Sequence, residues 1–410
     1  MIGQTKNLVF LDIETTMCHK KIHLVVTNAN GVIKCHREPQ SLKKEISGKI
    51  LVAHNGIAFD FPVLNRVWGL KIKLHQVLDT LVLSRLLNPM RTKHSLASWG
   101  EDLKFPKTEF NQFDQYSEEM RKYCINDVKV LEKVYNQLLK EKESHGFDEE
   151  SIRIEHEVCS IVSKQVSRGF KLNVEGCKRL CGILSGRMEE ICERLQQSFQ
   201  PLVHKRVSEK TGKQLKDYVE VFNPASRQQI SKRLQGIGWK PKKFTEKGSV
   251  IVDESVLRDV NIPEAKLICE YLLLQKRLSQ VTSWIEAVSK EHRVHGKVIT
   301  NGAVTGRMTH HSPNLAQIPS VNAEYGSECR EQWVVDSGYK LVGIDASGLE
   351  LRMLAHYMND KEYTKEVVDG DIHTKNQLAA GLDTRAKAKT FIYAFLYGAG
   401  AKKIGSITGT

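Results

Sequence analysis

LVGIDASGLELR (Leu341–Arg352) and TRAKAKTFIYAFLYGAG (Thr384–Gly400) are the stretches from which the rest of the chain is read. In the first, the apolar run Leu341–Ile344 predicts a short strand that delivers Asp345 to its end. Ser347 and Gly348 then turn the chain into a helix over Leu349–Met358. A strand end fixes the direction of a carboxylate and leaves it open to a substrate, which suits metal binding. Capping the helix is the plainer role for a lone Asp there. In the second stretch Arg385, Lys389, Tyr393 and Tyr397 recur every four residues. At 3.6 residues per turn each step drifts by roughly 40°, so the four share one slowly turning helix face. Phe391, Ile392, Phe395 and Leu396 make an apolar face beside it, and Lys387 points elsewhere. Cations for phosphates and rings for sugar and base suit a nucleoside triphosphate. A solvated amphipathic helix accounts for the cations, and less well for an outward tyrosine pair.

Together the two segments resemble motifs A and B of the family A (DNA polymerase I-like) DNA polymerases, most closely the bacteriophage replicative type. GDIHTKNQLAA (Gly370–Ala380) lies between them, where such enzymes carry a phosphate-binding His. The resemblance implies that Asp345 is a catalytic metal ligand and that Glu350 and Tyr393 form a gate rejecting ribose. It implies that His373, Arg385 and Lys389 hold the phosphates of an incoming deoxynucleoside triphosphate, and that Tyr397 borders the template base.

The chain has 410 residues, enough for two or three domains, and its 40% apolar content supports sizeable cores. A net charge of +13 favours a polyanionic partner. Nine scattered cysteines without a CxxC pair read as reduced thiols of a cytoplasmic protein, the host cytoplasm for a phage protein. No apolar run approaches membrane-spanning length, and Asp12 comes too soon for a secretory signal.

LVFLDIETT (Leu8–Thr16) reads as a buried strand with Phe10, Asp12 and Glu14 on one face. Two carboxylates so spaced can hold a divalent ion pair; a solvated edge is the commoner reading of a lone DxE. LVAHNGIAFDFPVL (Leu51–Leu64) is a strand leading through His54, Asn55 and Gly56 into a helix that sets Asp60 among apolar neighbours. Asp79–Pro89 and Lys93–Leu103 read as helix or loop-helix, and Ser117 caps a long helix to about Glu141. Asp127 falls inside that helix's apolar stripe, with Tyr123 one turn earlier. A buried carboxylate needs a partner, such as a metal. The ordered set Asp12, Glu14, Asp60, Tyr123 and Asp127 resembles the proofreading 3′→5′ exonucleases of the DEDDy type. The resemblance implies two Mg²⁺ ions, with Mn²⁺ as a substitute, held by Asp12, Glu14, Asp60 and Asp127, and a Tyr123 that orients the attacking water.

The charged stretch Lys140–Ser151 predicts an interdomain linker, followed by a helix to Gly169 and another over about Val174–Phe199. His204–Tyr218 is basic and reads as a loop. FNPASRQQISKRLQGIGWKP (Phe222–Pro241) resembles the family's thumb, with Asn223 or Ser226 as helix cap. There Arg227, Lys232 and Arg233 would meet DNA phosphates, or simply form a solvated helix face. Phage relatives can carry a large insertion just before this motif that recruits host thioredoxin. Only the short basic loop stands there, so thioredoxin is not an expected partner. After a helix over Leu267–Ile285, HGKVITNGAVTGRMTHHSPNLAQIPS (His295–Ser320) matches the primer-contacting segment. Arg307 and Gln317 would reach the minor groove near the primer end. His310 and His311 lack a third ligand and read as loop residues near DNA.

The resemblance thus implies an α/β exonuclease domain of ribonuclease H-like, DEDDy type over residues 1–143, followed by a partial α+β right-hand polymerase. Residues 144–200 begin the polymerase region and 201–300 are the thumb. Residues 301–358 are a partial palm with motif A, and 359–410 partial fingers with the motif B helix. The family's second palm carboxylate, in a His-Asp-Glu motif, has no counterpart after Asp345. Asp360, Asp369, Asp371 and Asp383 fall in stretches matching the fingers. The expected partners are primer-template DNA, deoxynucleoside triphosphates and a second polypeptide supplying the rest of fingers and palm. A stand-alone exonuclease with a DNA-gripping C-terminal part, and a non-enzymatic DNA-binding remnant, are the alternatives.

Overall fold

Leu8–Thr15, the first strand (β1), is the centre of a five-stranded sheet. A computed structural model describes residues 7–207, 210 and 212–409. It comprises two compact units, Met1–Gly338 and Tyr339–Thr410.

In the first unit, β1 lies between β2 (Ile22–Ala29) and β4 (Ile50–Ala53), with β3 (Val32–His36) and β5 (Val77–Asp79) at the edges. The β1–β2 and β2–β3 pairs are antiparallel, whereas β1, β4 and β5 run parallel. Strand alternation divides the apolar residues of β1 between two cores. Val9, Leu11 and Ile13 pack with Leu42 of α1 (Pro39–Ile46) and with Phe61 and Leu64 of α2 (Asp60–Trp68). Leu8 and Phe10 pack with Leu131 and Val134 of the long α5 (Glu118–His145) and with α3 (Thr80–Leu87) and α4 (Leu96–Asp102). Asp12 and Glu14 therefore continue the face that meets α5.

Helix α5 starts where Ser117 accepts from the Met120 N–H at 3.0 Å, and it ends at Gly146, whose φ of +68° suits glycine. Asp148 then caps α6 (Glu149–Arg168). The charged stretch predicted as a linker is thus the last turns of α5, a glycine break and the first turn of α6. Caps on both sides of Gly146 let helical hydrogen bonding take up almost all of it.

A third core gathers Leu184 and Ile191 of α7 (Val174–Ser198), Leu234 of α8 (Arg227–Gly236), Leu257 of α9 (Glu254–Leu257) and Ile268 and Trp284 of α10 (Pro263–Glu286). Ser226, rather than Asn223, caps α8. A small sheet of β6 (Phe170–Leu172), β9 (Arg293–Val294) and β12 (Trp333–Val334) borders this core, with α11 (Gly326–Glu331) beside β12. The stretch predicted as a basic loop is instead a hairpin of β7 (Leu202–Val207) and β8 (Gln214–Glu220). Cross-strand pairing explains the difference: His204 lies opposite Tyr218 with their rings stacked at 5.9 Å. Ser208, Glu209 and Thr211 of that stretch lie outside the described residues. A second hairpin pairs β10 (Lys297–Ile299) with β11 (Thr309–His311), so His310 and His311 stand on a strand, not a loop.

The second unit consists of α12 (Leu349–Met358), α13 (Lys361–Val368), α14 (Ile372–Ala379), α15 (Arg385–Leu396) and α16 (Ala401–Thr408). The strand predicted over Leu341–Ile344 is not formed, and Ile344 is 94% exposed. A strand needs a partner for its backbone groups, and among the described residues none pairs with this run. Phe395, on the apolar face read from the sequence of α15, is exposed, while Ala388 is buried. Among the described residues no helix is long and apolar enough to cross a membrane.

Candidate active sites

Four carboxylates and a tyrosine converge beside the central sheet of the first unit. Asp12 and Glu14 come from β1, and Asp60 opens α2, where it is buried. Tyr123 and Asp127, one turn apart, come from α5. The Cys124 thiol donates to the Asp12 carboxylate at 3.4 Å, and its sulfur lies with oxygens of Asp12 and Glu14 within a 4.8 Å cluster. Asp127 is buried, and its Oδ1 has no hydrogen-bond partner. An orphaned carboxylate oxygen beside two further carboxylates is a donor set for a hard divalent cation. A cleft of about 620 Å³ opens on Asp12 and Asp127, lined also by Arg85, Arg91, Lys107 and Asn301.

Two supporting residues had no role in the sequence reading. The partner of Asp127 is Lys107, whose Nζ lies 2.5 Å from Oδ2 and also donates to the Tyr123 hydroxyl at 3.0 Å. Lys107 sits on an irregular segment between α4 and α5, where no periodicity points to it. Asp79 is buried at the end of β5 and accepts from the N–H groups of Asn55 (2.9 Å), Ile57 (3.0 Å) and Leu81 (2.9 Å). It thereby caps α3 and pins the loop that leads to Asp60. An Asp directly before an apolar helix was the available signal for it. His156 of α6 accepts the Asp79 backbone N–H at 2.8 Å, tying α6 to the same corner.

Burial is the main force on these acids. It raises Asp12 to about 7, with help from the charge of Asp127. It raises Glu14 to about 9, with help from Asp12 and Asp127. Asp60 is raised well above the usual range by burial and then by Asp12 and Asp79. Burial also raises Asp127, against the opposing pull of Lys107. Without a cation, these groups hold protons more tightly folded than unfolded. The resulting stability is fully present below about pH 4, where unfolded carboxylates titrate, and is lost as pH rises through the folded values. In chelator, melting temperature should therefore fall by several degrees between about pH 4 and the Glu14 value of about 9. Asp12→Asn with Glu14→Gln should flatten that slope. A melting temperature independent of pH in the unsubstituted protein would contradict it.

In the second unit α14 and α15 bring His373, Arg385, Lys389 and Tyr393 together. Thr384 caps α15 through the Lys387 N–H at 3.2 Å. Arg385 makes a two-point contact with Asp371, Nε to Oδ2 at 2.8 Å and Nη2 to Oδ1 at 3.0 Å. Asp371 also caps α14, and hydrogen bonds from Arg385 and Thr374 hold its carboxyl well below the usual range. The His373 ring lies 6.2 Å from that of Tyr393. Burial, then the charges of Arg385 and Lys389, lower the His373 pKa. Glu350, on the first turn of α12, accepts from the Tyr397 hydroxyl at 3.0 Å. The sequence reading paired Glu350 with Tyr393; here Tyr397 makes the hydrogen bond, and the charge of Glu350 adds to burial in raising Tyr393. Asp345 lies on the exposed, irregular run before α12.

In the first unit, Arg227 and Lys232 are exposed on α8. Arg233 is half-buried, and its Nη1 donates to the Gln200 carbonyl at 2.9 Å, tying α8 to the end of α7. Arg307 is exposed after a tight turn in which the Gly306 N–H donates to the Ala303 carbonyl. Gln317 is exposed, its carbonyl accepting from Gln280 at 3.1 Å.

A family model described as DNA polymerase family A matches residues 190–410. The DNA-directed DNA polymerase of Escherichia phage T7 is 34% identical, over 90% of this chain and 71% of its own length. That of Enterobacteria phage T3 shows the same identity and coverage, 34%, 90% and 71%. DNA polymerase I of Helicobacter pylori is 27% identical over 80% of this chain and 36% of its own. Among solved structures, the POL domain of Pol1 from M. smegmatis, in complex with DNA primer-template and dNTP, shares the fold. Its TM-score is 0.74 at 17% identity, covering 97% of this chain and 69% of that one. The chain belongs to the family A DNA polymerases, in their bacteriophage type.

Proposed function

We propose that this DNA-directed DNA polymerase carries its own 3′→5′ proofreading exonuclease, of DEDDy type, in residues 1–143. The observation that carries this reading is the convergence of Asp12, Glu14, Asp60 and Asp127 with Tyr123 beside a cleft that Asp12 and Asp127 line together with Arg85, Arg91 and Lys107. The strand order β3-β2-β1-β4-β5, antiparallel then parallel, is in keeping with a ribonuclease H-like domain. Asp12, Glu14, Asp60 and Asp127 would hold two Mg²⁺ ions, or Mn²⁺ in their place, which would supply charge neutralisation and water activation. Tyr123 would orient the attacking water. A new P–O bond forms from that water as the P–O3′ bond breaks, releasing a nucleoside monophosphate. Arg85 and Arg91 offset the phosphate charge in the cleft.

Residues 144–200 then open the polymerase region, 201–300 act as thumb, 301–358 as palm with Asp345, and 359–410 as fingers. Arg385, Lys389 and His373 take the triphosphate of the incoming nucleotide. Asp371 gives up its two-point contact with Arg385 to the phosphate oxygens, which match the guanidinium fork. Glu350, Tyr393 and Tyr397 border the sugar and the template base. Arg307 and Gln317 probe the primer's minor groove, and Arg227 and Lys232 hold phosphates. Three of the acids after Asp345 singled out above have side chains engaged elsewhere. Asp360 and Asp371 cap helices, Asp383 pairs with Lys387, and Asp369 ends α13. None of these four is therefore assigned as a second palm carboxylate beside Asp345.

A 5′-labelled primer annealed to template tests both halves of the reading. With Mg²⁺, residues 1–410 should shorten the primer and not lengthen it when nucleotides are added. Their binding should weaken steeply with salt, as counterion release requires. Absence of shortening would overturn the nuclease; lengthening would overturn the account of the carboxylates.

A further inference from the structure

Lys107 touches both a metal-cage acid and the tyrosine of the first site. Its ammonium lies 2.5 Å from Asp127 Oδ2 and 3.0 Å from the Tyr123 hydroxyl, and 4.9 Å from the centre of the Tyr123 ring. The segment that carries it is tied down. The Phe105 N–H donates to the Gly100 carbonyl at 2.8 Å, and Asn126 of α5 donates to the Pro106 carbonyl at 3.2 Å. Farther along, the Phe110 ring packs 5.4 Å from that of Tyr123, and the buried His23 of β2 is 3.2 Å from the Phe113 carbonyl. Lys107 is thus held against α5 from both sides.

The direction of these bonds has a chemical consequence. An ammonium has three donors and no acceptor. The Tyr123 oxygen must therefore accept from Lys107, which leaves its own proton to be donated, to the Asp127 carboxylate when no substrate is bound. Asp127 likewise gives Oδ2 to Lys107 and keeps Oδ1 without a partner.

We propose that Lys107 is a positioning residue of the nuclease centre, one that makes Tyr123 a hydrogen-bond donor to the attacking oxygen and keeps one face of Asp127 turned toward the metals. This rests on the exonuclease reading above. Lys107 acts through Tyr123, so removing it should slow the bond-breaking step without weakening DNA or metal binding.

Lys107→Met keeps the length and apolar stem of the side chain and removes the ammonium; Lys107→Gln serves the same comparison should the methionine variant fail to melt cooperatively. On single-stranded DNA, kcat should fall about 10- to 100-fold, the usual cost of losing a group behind a metal ligand. KM should stay within about threefold. The Lys107→Met, Tyr123→Phe double variant should be no slower than Tyr123→Phe alone, since both remove one aimed hydroxyl. Lys107→Arg, which keeps the donors, should retain most of kcat. Mn²⁺ titrated into metal-free protein and followed by electron paramagnetic resonance should bind Lys107→Met at least as tightly as the unsubstituted chain. Unchanged kcat, additive losses in the double variant, or weakened Mn²⁺ binding would each overturn the role. A different pattern marks failure of the nuclease reading itself: Mn²⁺ sites that survive Asp12→Ala with Glu14→Ala, together with no digestion by the unsubstituted chain.

Discussion

Asp12→Ala combined with Glu14→Ala is expected to cut Mg²⁺-dependent 3′→5′ digestion of single-stranded DNA by at least about 10³-fold, the scale of losing a charge contact at a phosphoryl transition state. The two side chains leave β1 on the face that meets α5, and Asp127 is the only acid of α5 whose side chain is buried in that contact. No neighbouring acid on β1 can replace them, because the next residues on that face are Phe10 and Leu8, both in the core. DNA binding should persist with an unchanged salt slope, since Arg85 and Arg91 remain in the cleft. The fold should also persist. Burial and the charge of Asp127 raise Asp12 to about 7, and burial and Asp12 raise Glu14 to about 9, so removing the two acids relieves a cost of ionisation at neutral pH. Undiminished digestion by the purified double variant would remove the assignment.

What the sequence revealed of this centre follows from local periodicity. A strand period of two puts Asp12 and Glu14 on one face, and a helical period puts Tyr123 one turn from Asp127. The start of α5 was legible in Ser117, though its end was not, because Gly146 sits among charged residues that resemble a linker. Lys107 was illegible for a different reason. It reaches Asp127 across an irregular segment, and only tertiary packing brings the two together. The same holds for the contact of Arg233 with the Gln200 carbonyl. The paired strands β7 and β8 and the unformed strand at Leu341–Ile344 depart from the sequence pattern in opposite directions for one reason. Strand formation depends on a partner, and sequence pattern alone does not say whether one is present. In the second unit the four-residue spacing of Arg385, Lys389 and Tyr393 was enough to place the three on one helix face. The salt bridge from Arg385 to Asp371 and the bond from Tyr397 to Glu350 were not legible, because each joins residues on different elements.

Asp345→Asn is expected to abolish primer extension by the complete polymerase, again by about 10³-fold or more, while leaving digestion intact. Asn keeps the shape of the side chain and loses the negative charge that a hard divalent ion needs. Asp345 stands just before the turn at Ser347 and Gly348, where Gly348 takes a φ of +57° to start α12. Two residues farther on, Glu350 receives the Tyr397 hydroxyl, which ties the start of α12 to the end of α15. The helix that carries Lys389 and Tyr393 is therefore linked to the segment that carries Asp345 within one unit. A loss confined to chemistry should appear as a fall in the extension rate at saturating nucleotide, with primer-template affinity unchanged. The exonuclease supplies the internal control: Asp345→Asn should shorten the labelled primer as fast as the unsubstituted enzyme, because Asp12, Glu14, Asp60 and Asp127 are untouched. Extension at an undiminished rate would mean that another carboxylate holds the palm metal. Loss of digestion together with extension would instead point to a folding defect, and would remove Asp345 from the catalytic set until a variant that folds was tested.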